Sequence, residues 1–197
     1  MITDIIVDLE TLAKNSTESV VLSIGAYAFN RKDINDTENY SLHLIFGKKE
    51  FIRDQVSKGR VYEEGTIEFW KEQNSEARKI FKPEYNNVGS IKEALYKFSN
   101  FYDRFSERVS MINVWGNDML FDIGILKSLY QSYDMVPPWE WYEPRCYRTL
   151  IQEHKLVADK PDFSGTPHCA IDDAKYQALR LQLLFEKFRK CGIANER

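Results

Sequence analysis

The chain opens on ITDIIVDLE, where β-branched residues crowd a short stretch; this predicts a strand entering a sheet core, and the polar KNSTES that follows reads as a loop. VVLSIGAYAF at 20–29 and YSLHLIF at 40–46 repeat the strand pattern on either side of the turn-rich RKDINDTEN. Short connections between three early strands predict an antiparallel meander.

From about Glu50 to Pro83 the pattern becomes charged and helical in patches. Within TIEFWKEQNSEARKIF, Ile67, Trp70, Ala77 and Phe81 would line one helical face after a break near Asn74, so a helical insertion in the main domain is expected over about 50–83. SIKEALYKFSNFYDRF places Ser90 and Glu93 at capping-box spacing and sets Ile91, Leu95, Phe98 and Phe105 on one side of a helix. VSMINVW at 109–115 reads as a buried strand ended by Gly116 and Asn117, and a helix follows from about Phe121 to Tyr133, stopped by MVPPW. A short helix over 145–155, a loop at PDFSGTP (161–167) and a last helix from about Cys169 to Cys191 complete the chain. The last helix repeats Ala174, Leu181, Leu184 and Phe188 at helical spacings.

At 197 residues the chain fits one domain with a substantial core, and 43% apolar residues with 12 Phe, 11 Tyr and 4 Trp exclude a disordered chain. The net charge of -3 excludes a strongly basic protein that coats nucleic acid, but not an enzyme that touches a few nucleotides. Cys146, Cys169 and Cys191 are too few and too far apart for a disulfide scaffold or a zinc knuckle. The longest apolar run, Val20 to Phe29, is too short to span a bilayer and no leader pattern precedes it, so a soluble, cytoplasmic protein without membrane contact is expected.

The chemistry lies in the carboxylates. Asp8 and Glu10 are two apart on the first predicted strand, so both side chains leave one face of the sheet, where they repel each other and lose hydration. A cation resolves that conflict, although a strand end entering solvent would carry the same residues. Asp122 falls on the opening turn of a helix, where the helix dipole favours an anion with or without metal. In HCAIDDA at 168–174, Asp173 lies in the first turns of the last helix, and Ala170 and Ala174 would let that helix approach the sheet closely. His168 stands at the loop-to-helix junction, where its near-neutral pKa suits a general base; a hydrogen-bonded structural histidine is the competing reading. His43 and His154 lack a supporting pattern, and an Asp/Glu set favours the hard cations Mg²⁺ or Mn²⁺.

DLE at 8–10, the series Asn117, Phe121, Asp122, and His168 followed by Asp173 resemble, in order, the three motifs of the DEDDh 3'-5' exonuclease family. VDLET, SIGA, TIEFWKEQNSEAR, VWGNDMLFDIGIL, RCYRTL and HCAIDDAKYQA are similar to the phage and prophage branch that includes T4 exodeoxyribonuclease A and the Rv2179c-like 3'-5' exoribonucleases. The chain departs from that branch at Asp118 and Met119, where smaller residues are common, and at Pro167, where alanine is common. The resemblance implies an α/β fold, an RNase H-like mixed sheet flanked by helices. It also implies that Asp8, Glu10, Asp122 and Asp173 hold two divalent cations and that His168 is the general base.

What the resemblance implies for function is a 3'-5' exonuclease on single-stranded DNA or RNA 3' ends that releases 5'-nucleoside monophosphates. A hydrolase of very short oligonucleotides, or a catalytically silent nucleic-acid-binding module, stays open beside it. Leu9 and Thr11 flank the acidic pair and are expected near the terminal nucleotide, Trp70 or its neighbour Phe69 would stack on bases or fill the core, and Asn117 would hydrogen-bond near the entrance. Arg148, with Arg145, would meet phosphate or line a solvated helix face, while Trp115 is expected in the core and Asp172 beside the site as a cap. The related branch includes dimers, so a homodimer is open, although no stripe of residues marks its face.

Overall fold

The computed structural model describes residues 1–34 and 40–192. Residues 35–39, the centre of the turn-rich stretch after the second strand, lie outside the described residues. Strands β1 (Asp4–Thr11), β2 (Val21–Phe29) and β3 (Tyr40–Ile45) form the expected antiparallel meander. Strand β4 (Asn113–Gly116) pairs parallel to β1 and β5 (Pro144–Cys146) parallel to β4, giving a mixed sheet in the order β3-β2-β1-β4-β5. This is the expected RNase H-like α/β arrangement, with helices on both faces.

Strand β1 occupies the middle of the sheet, and its pleat sorts its residues between two cores. Ile5, Val7 and Leu9 pack with Leu95 and Phe98 of α3 (Ile91–Ser106) and with Leu126 and Leu129 of α4 (Gly124–Ser132). Ile6 points the other way, into a cluster with Ile151 of α5 (Tyr147–Glu153) and Ala174, Ala178 and Leu181 of α6 (Ala170–Lys190). The alternation follows from the two-residue period of a strand, and each fully buried Leu, Ile or Phe contributes about 1.5–3 kcal/mol. Asp4, Asp8 and Glu10 share the parity of Ile6, so they face α6.

Helix α3 forms as its pattern predicts: Ile91, Leu95, Phe98 and Phe105 are buried, and Ser90 Oγ accepts from the Glu93 amide at 3.0 Å. The return arm of the cap is displaced by one residue, because Glu93 Oε2 accepts from the amide of Gly89 at 2.7 Å. The charged segment folds into α1 (Lys49–Ser57), α2 (Glu64–Glu72) and short 3-10 turns at Ala77–Phe81 and Pro83–Tyr85. Its break comes where Asn74 Oδ1 takes the Ala77 amide at 2.9 Å. Trp70, Ala77 and Ile80 pack there against Leu12, Val20 and Leu22, closing one end of the sheet.

Three boundaries differ from the pattern. The fourth strand starts at Asn113, leaving Val109 to Ile112 outside it. Residues 145 and 146 belong to β5 and the short helix begins only at Tyr147; a three-residue edge strand that opens on proline carries too little alternation to be read. The helix expected from Phe121 starts with a π-helical turn, Met119–Ile123, that runs directly into α4.

Candidate active site

Two glycines permit the approach of the elements that carry carboxylates. Gly25 of β2 is the register partner of Asp8, and a Cβ there would fall 2.2 Å from the carbonyl carbon of Ala170. The first turn of α6 therefore rests on bare backbone, with Ala170 and Ala174 fully buried beneath it, and this sets Asp173 over Asp8 and Glu10. At the end of β4 a Cβ on Gly116 would lie 2.9 Å from that of Asp122, so the π turn can fold back against the strand.

Carboxylate oxygens of Asp8, Glu10 and Asp173 all lie within 4.8 Å of one another. Asp122 lines the same cleft, of about 490 Å³, but is engaged differently: Oδ1 accepts from the Leu9 amide at 3.3 Å and Oδ2 from the Asp118 amide at 3.0 Å. Burial, and then the charges of Asp122, Glu10 and Asp173, hold the Asp8 carboxyl well above the usual carboxylate range; Gln177 Nε2, donating at 2.8 Å, acts in the opposite sense. Burial and the charges of Asp173 and Asp122 do the same to Glu10. Burial raises Asp122 to about 7 against the pull of its backbone amides, and also raises Asp173, where His168 opposes the shift.

Four acids that each resist ionisation in one cleft form a set that a hard divalent cation would relieve. The group of three could hold one such ion. Gln177 leaves its buried carbonyl oxygen without a hydrogen-bond partner among the described residues, a further oxygen donor beside the acids.

His168 lines the cleft from the loop before α6. Its backbone has φ 62°, a left-handed conformation that costs a non-glycine residue about 1 kcal/mol, and its amide donates to Asp173 Oδ2 at 3.1 Å. The ring stands edge-on to Phe69 and Trp70 of α2, with centroids 5.0 and 6.4 Å away. The charged helical segment thus reaches the cleft through the histidine.

The remaining expected contacts divide. Leu9, Asn117 and Arg148 line the cleft, and Arg148 Nη1 pairs with Asp118 Oδ2 at 3.2 Å. Thr11 and Trp70 do not line it. Thr11 is buried with its hydroxyl donating to the Ala13 carbonyl at 2.9 Å, and Trp70, 3% exposed, donates from Nε1 to the Thr11 carbonyl at 3.0 Å. Trp70 is therefore a core residue that pins the end of β1, the second of the two roles its sequence position allowed, and at 3% exposure it does not reach the carboxylate cleft as a stacking surface.

Arg145 donates to the carbonyls of Tyr142 and Pro144, away from the cleft. Trp115 is buried, as expected. Asp172 accepts the Thr166 amide at 2.9 Å and braces the loop before His168. His43 is half-buried on β3, and His154 packs on Phe188 at 4.8 Å. Lys14, Asp118, Phe121 and Gln177 also line the cleft without having been singled out as site residues. Of these, Gln177 had a legible signal, since it lies one helical turn beyond Asp173 on the same face.

The chain matches the family described as the 3'-5' exoribonuclease Rv2179c-like domain over residues 3–185. It belongs to that family. An exodeoxyribonuclease of Enterobacteria phage T4 is 26% identical over 79% of this chain and 74% of its own length. Among solved structures, the nuclease domain of 3'hExo, a DEDDh family member bound to rAMP, is similar with a TM-score of 0.58 at 12% identity, covering 96% of this chain and 92% of that one. Pop2p of S. pombe, in a form with Mg²⁺ and Mn²⁺ bound, has a TM-score of 0.56 at 12% identity over 100% of this chain and 86% of that one. The Rv2179c-like domain thus shares the fold of these nucleases, and the membership read from the motifs stands.

Proposed function

We propose that the protein is a metal-dependent 3'-5' exonuclease that removes 5'-nucleoside monophosphates from single-stranded 3' ends. The observation that carries this reading is the convergence of Asp8, Glu10, Asp122, Asp173 and His168 on one cleft. In this reading Asp8, Glu10 and Asp173 would hold one divalent cation, and Asp122 would complete the carboxylate set for a second. Bound there, Mg²⁺ or Mn²⁺ would lower the pKa of the attacking water and offset charge on the phosphoryl oxygens.

The protein's own groups perform the rest. Asp173 fixes the backbone of His168, and the aromatic rings of α2 hold the imidazole beside the cleft, where it accepts the proton of the attacking water. Leu9 and Asn117 border the space for the terminal nucleotide, and Arg148 can exchange Asp118 for a phosphate. The family description names an exoribonuclease, the T4 relative is an exodeoxyribonuclease, and 3'hExo holds rAMP, so the reading includes both sugars.

Single strands of RNA and DNA labelled at the 3' or the 5' end, with dinucleotides and duplexes, test the reading in Mg²⁺, Mn²⁺ and EDTA. A 3' label should leave as mononucleotide with the metals and stay in EDTA. Internal cleavage, or release from the 5' end, would overturn the reading, and hydrolysis confined to dinucleotides would replace it with that of a short-oligonucleotide hydrolase. His168→Ala should lower turnover about 100-fold while Mn²⁺ binding, measured by calorimetry, persists.

A further inference from the structure

Lys14 lines the cleft opposite in charge to the acids around it, and nothing in the reading above uses it. Its ammonium has no ion-pair partner among the described residues and sits 5.1 Å from the centre of the Phe69 ring. The same ring stands edge-on to His168 at 5.0 Å. Glu63, the nearby acid on the α2 side, spends its carboxylate on backbone instead: Oε2 accepts the Lys14 amide and Oε1 the Asn15 amide, both at 3.2 Å.

The loop that carries Lys14 is tied at further points. Ser19 Oγ accepts the Ala13 amide at 2.8 Å, the Thr11 hydroxyl donates to the Ala13 carbonyl at 2.9 Å, and Glu63 donates its own amide to the Leu12 carbonyl at 2.8 Å. A fixed backbone beneath an unpaired cation lowers the ordering cost of meeting an anion. Arg148 differs, because it must first release Asp118.

We propose that Lys14 is a further substrate-binding residue, an ammonium seated by Phe69 on the His168 wall of the cleft to hold a phosphate of the substrate strand. The proposal rests on the exonuclease reading for the identity of the strand. Phe69 is a positioning residue: its ring attracts the ammonium and keeps it beside the cleft.

Lys14→Met tests this, since methionine keeps an aliphatic stem on the Phe69 ring and removes the charge. Binding is measured by fluorescence anisotropy with phosphorothioate-capped dT8 and rU8, across a salt series, beside steady-state kinetics on the cleavable strands. Lys14→Met should weaken binding about tenfold and lower the slope of log affinity against log salt by about 0.7, with kcat within about twofold. Lys14→Arg should restore the slope. Phe69→Leu should weaken binding in the wild-type background and add no further loss to Lys14→Met, a result that general damage to the fold would not give.

Unchanged affinity and salt slope in Lys14→Met, with normal hydrolysis by the wild type, would overturn the proposal and leave the exonuclease reading standing. Lys14-dependent binding by a wild type that hydrolyses none of the strands would sustain the binding role and remove the exonuclease reading.

Discussion

Asp4 and Asp8 stand four residues apart on β1, on the same face and both nearly inaccessible, yet their surroundings are opposite in kind. Asp4 is bound by the Arg31 guanidinium, by Trp115 Nε1 at 2.7 Å and by the Thr3 hydroxyl at 2.7 Å. Asp8 receives Gln177 and faces Asp122, Glu10 and Asp173. One end of the strand is an electrostatically closed pair and the other a deficit of positive charge. A buried carboxylate that the fold itself satisfies is architecture, while a buried group of carboxylates left short of cations is a place for a ligand.

Mutation at the open end should give the largest effect. Asp173→Ala should lower nuclease turnover about 1000-fold, by several kcal/mol of lost cation-dependent stabilisation, while the urea midpoint of the metal-free protein stays the same or rises. Normal turnover in matched metal would erase the distinction between the two ends. At the closed end, Asp4→Asn should cost about 2 kcal/mol of stability in urea unfolding, because Arg31 loses its charged partner, while turnover per folded molecule is retained.

The two ends of β1 also differ in how they respond to pH. A carboxyl raised in the fold keeps its proton after the unfolded chain has lost it near pH 4, so metal-free stability falls as pH rises from there, up to about 7 for Asp122. Asp8→Asn should therefore raise the metal-free Tm more at pH 8 than at pH 4, and added Mg²⁺ should reverse the order of the two proteins at pH 8. An equal gain at both pH values would show that charge is not what the variant relieves.

The smallest effect is expected at the end of β1. Trp70→Phe should lose about 1 kcal/mol with the hydrogen bond to Thr11 and leave oligonucleotide affinity unchanged; a large loss of affinity with unaltered stability would return Trp70 to the binding surface.

Sequence alone determined the meander, the capped helix α3, the shared face of Asp8 and Glu10 and the closeness of the last helix to the sheet, because each follows from local period, capping chemistry or side-chain size. It also contained the ordered motifs from which the family was read. Tertiary structure alone decided which carboxylate on β1 is satisfied and which is not, since Arg31, Trp115 and Gln177 reach their partners across the sheet and the helix layer. It also turned Trp70 into the core, split off the short β5, and set Phe69 and Lys14 against the wall that carries His168. Those are contacts between residues far apart in the chain; a pattern of spacing encodes which face a side chain leaves, but not what the fold brings to meet it.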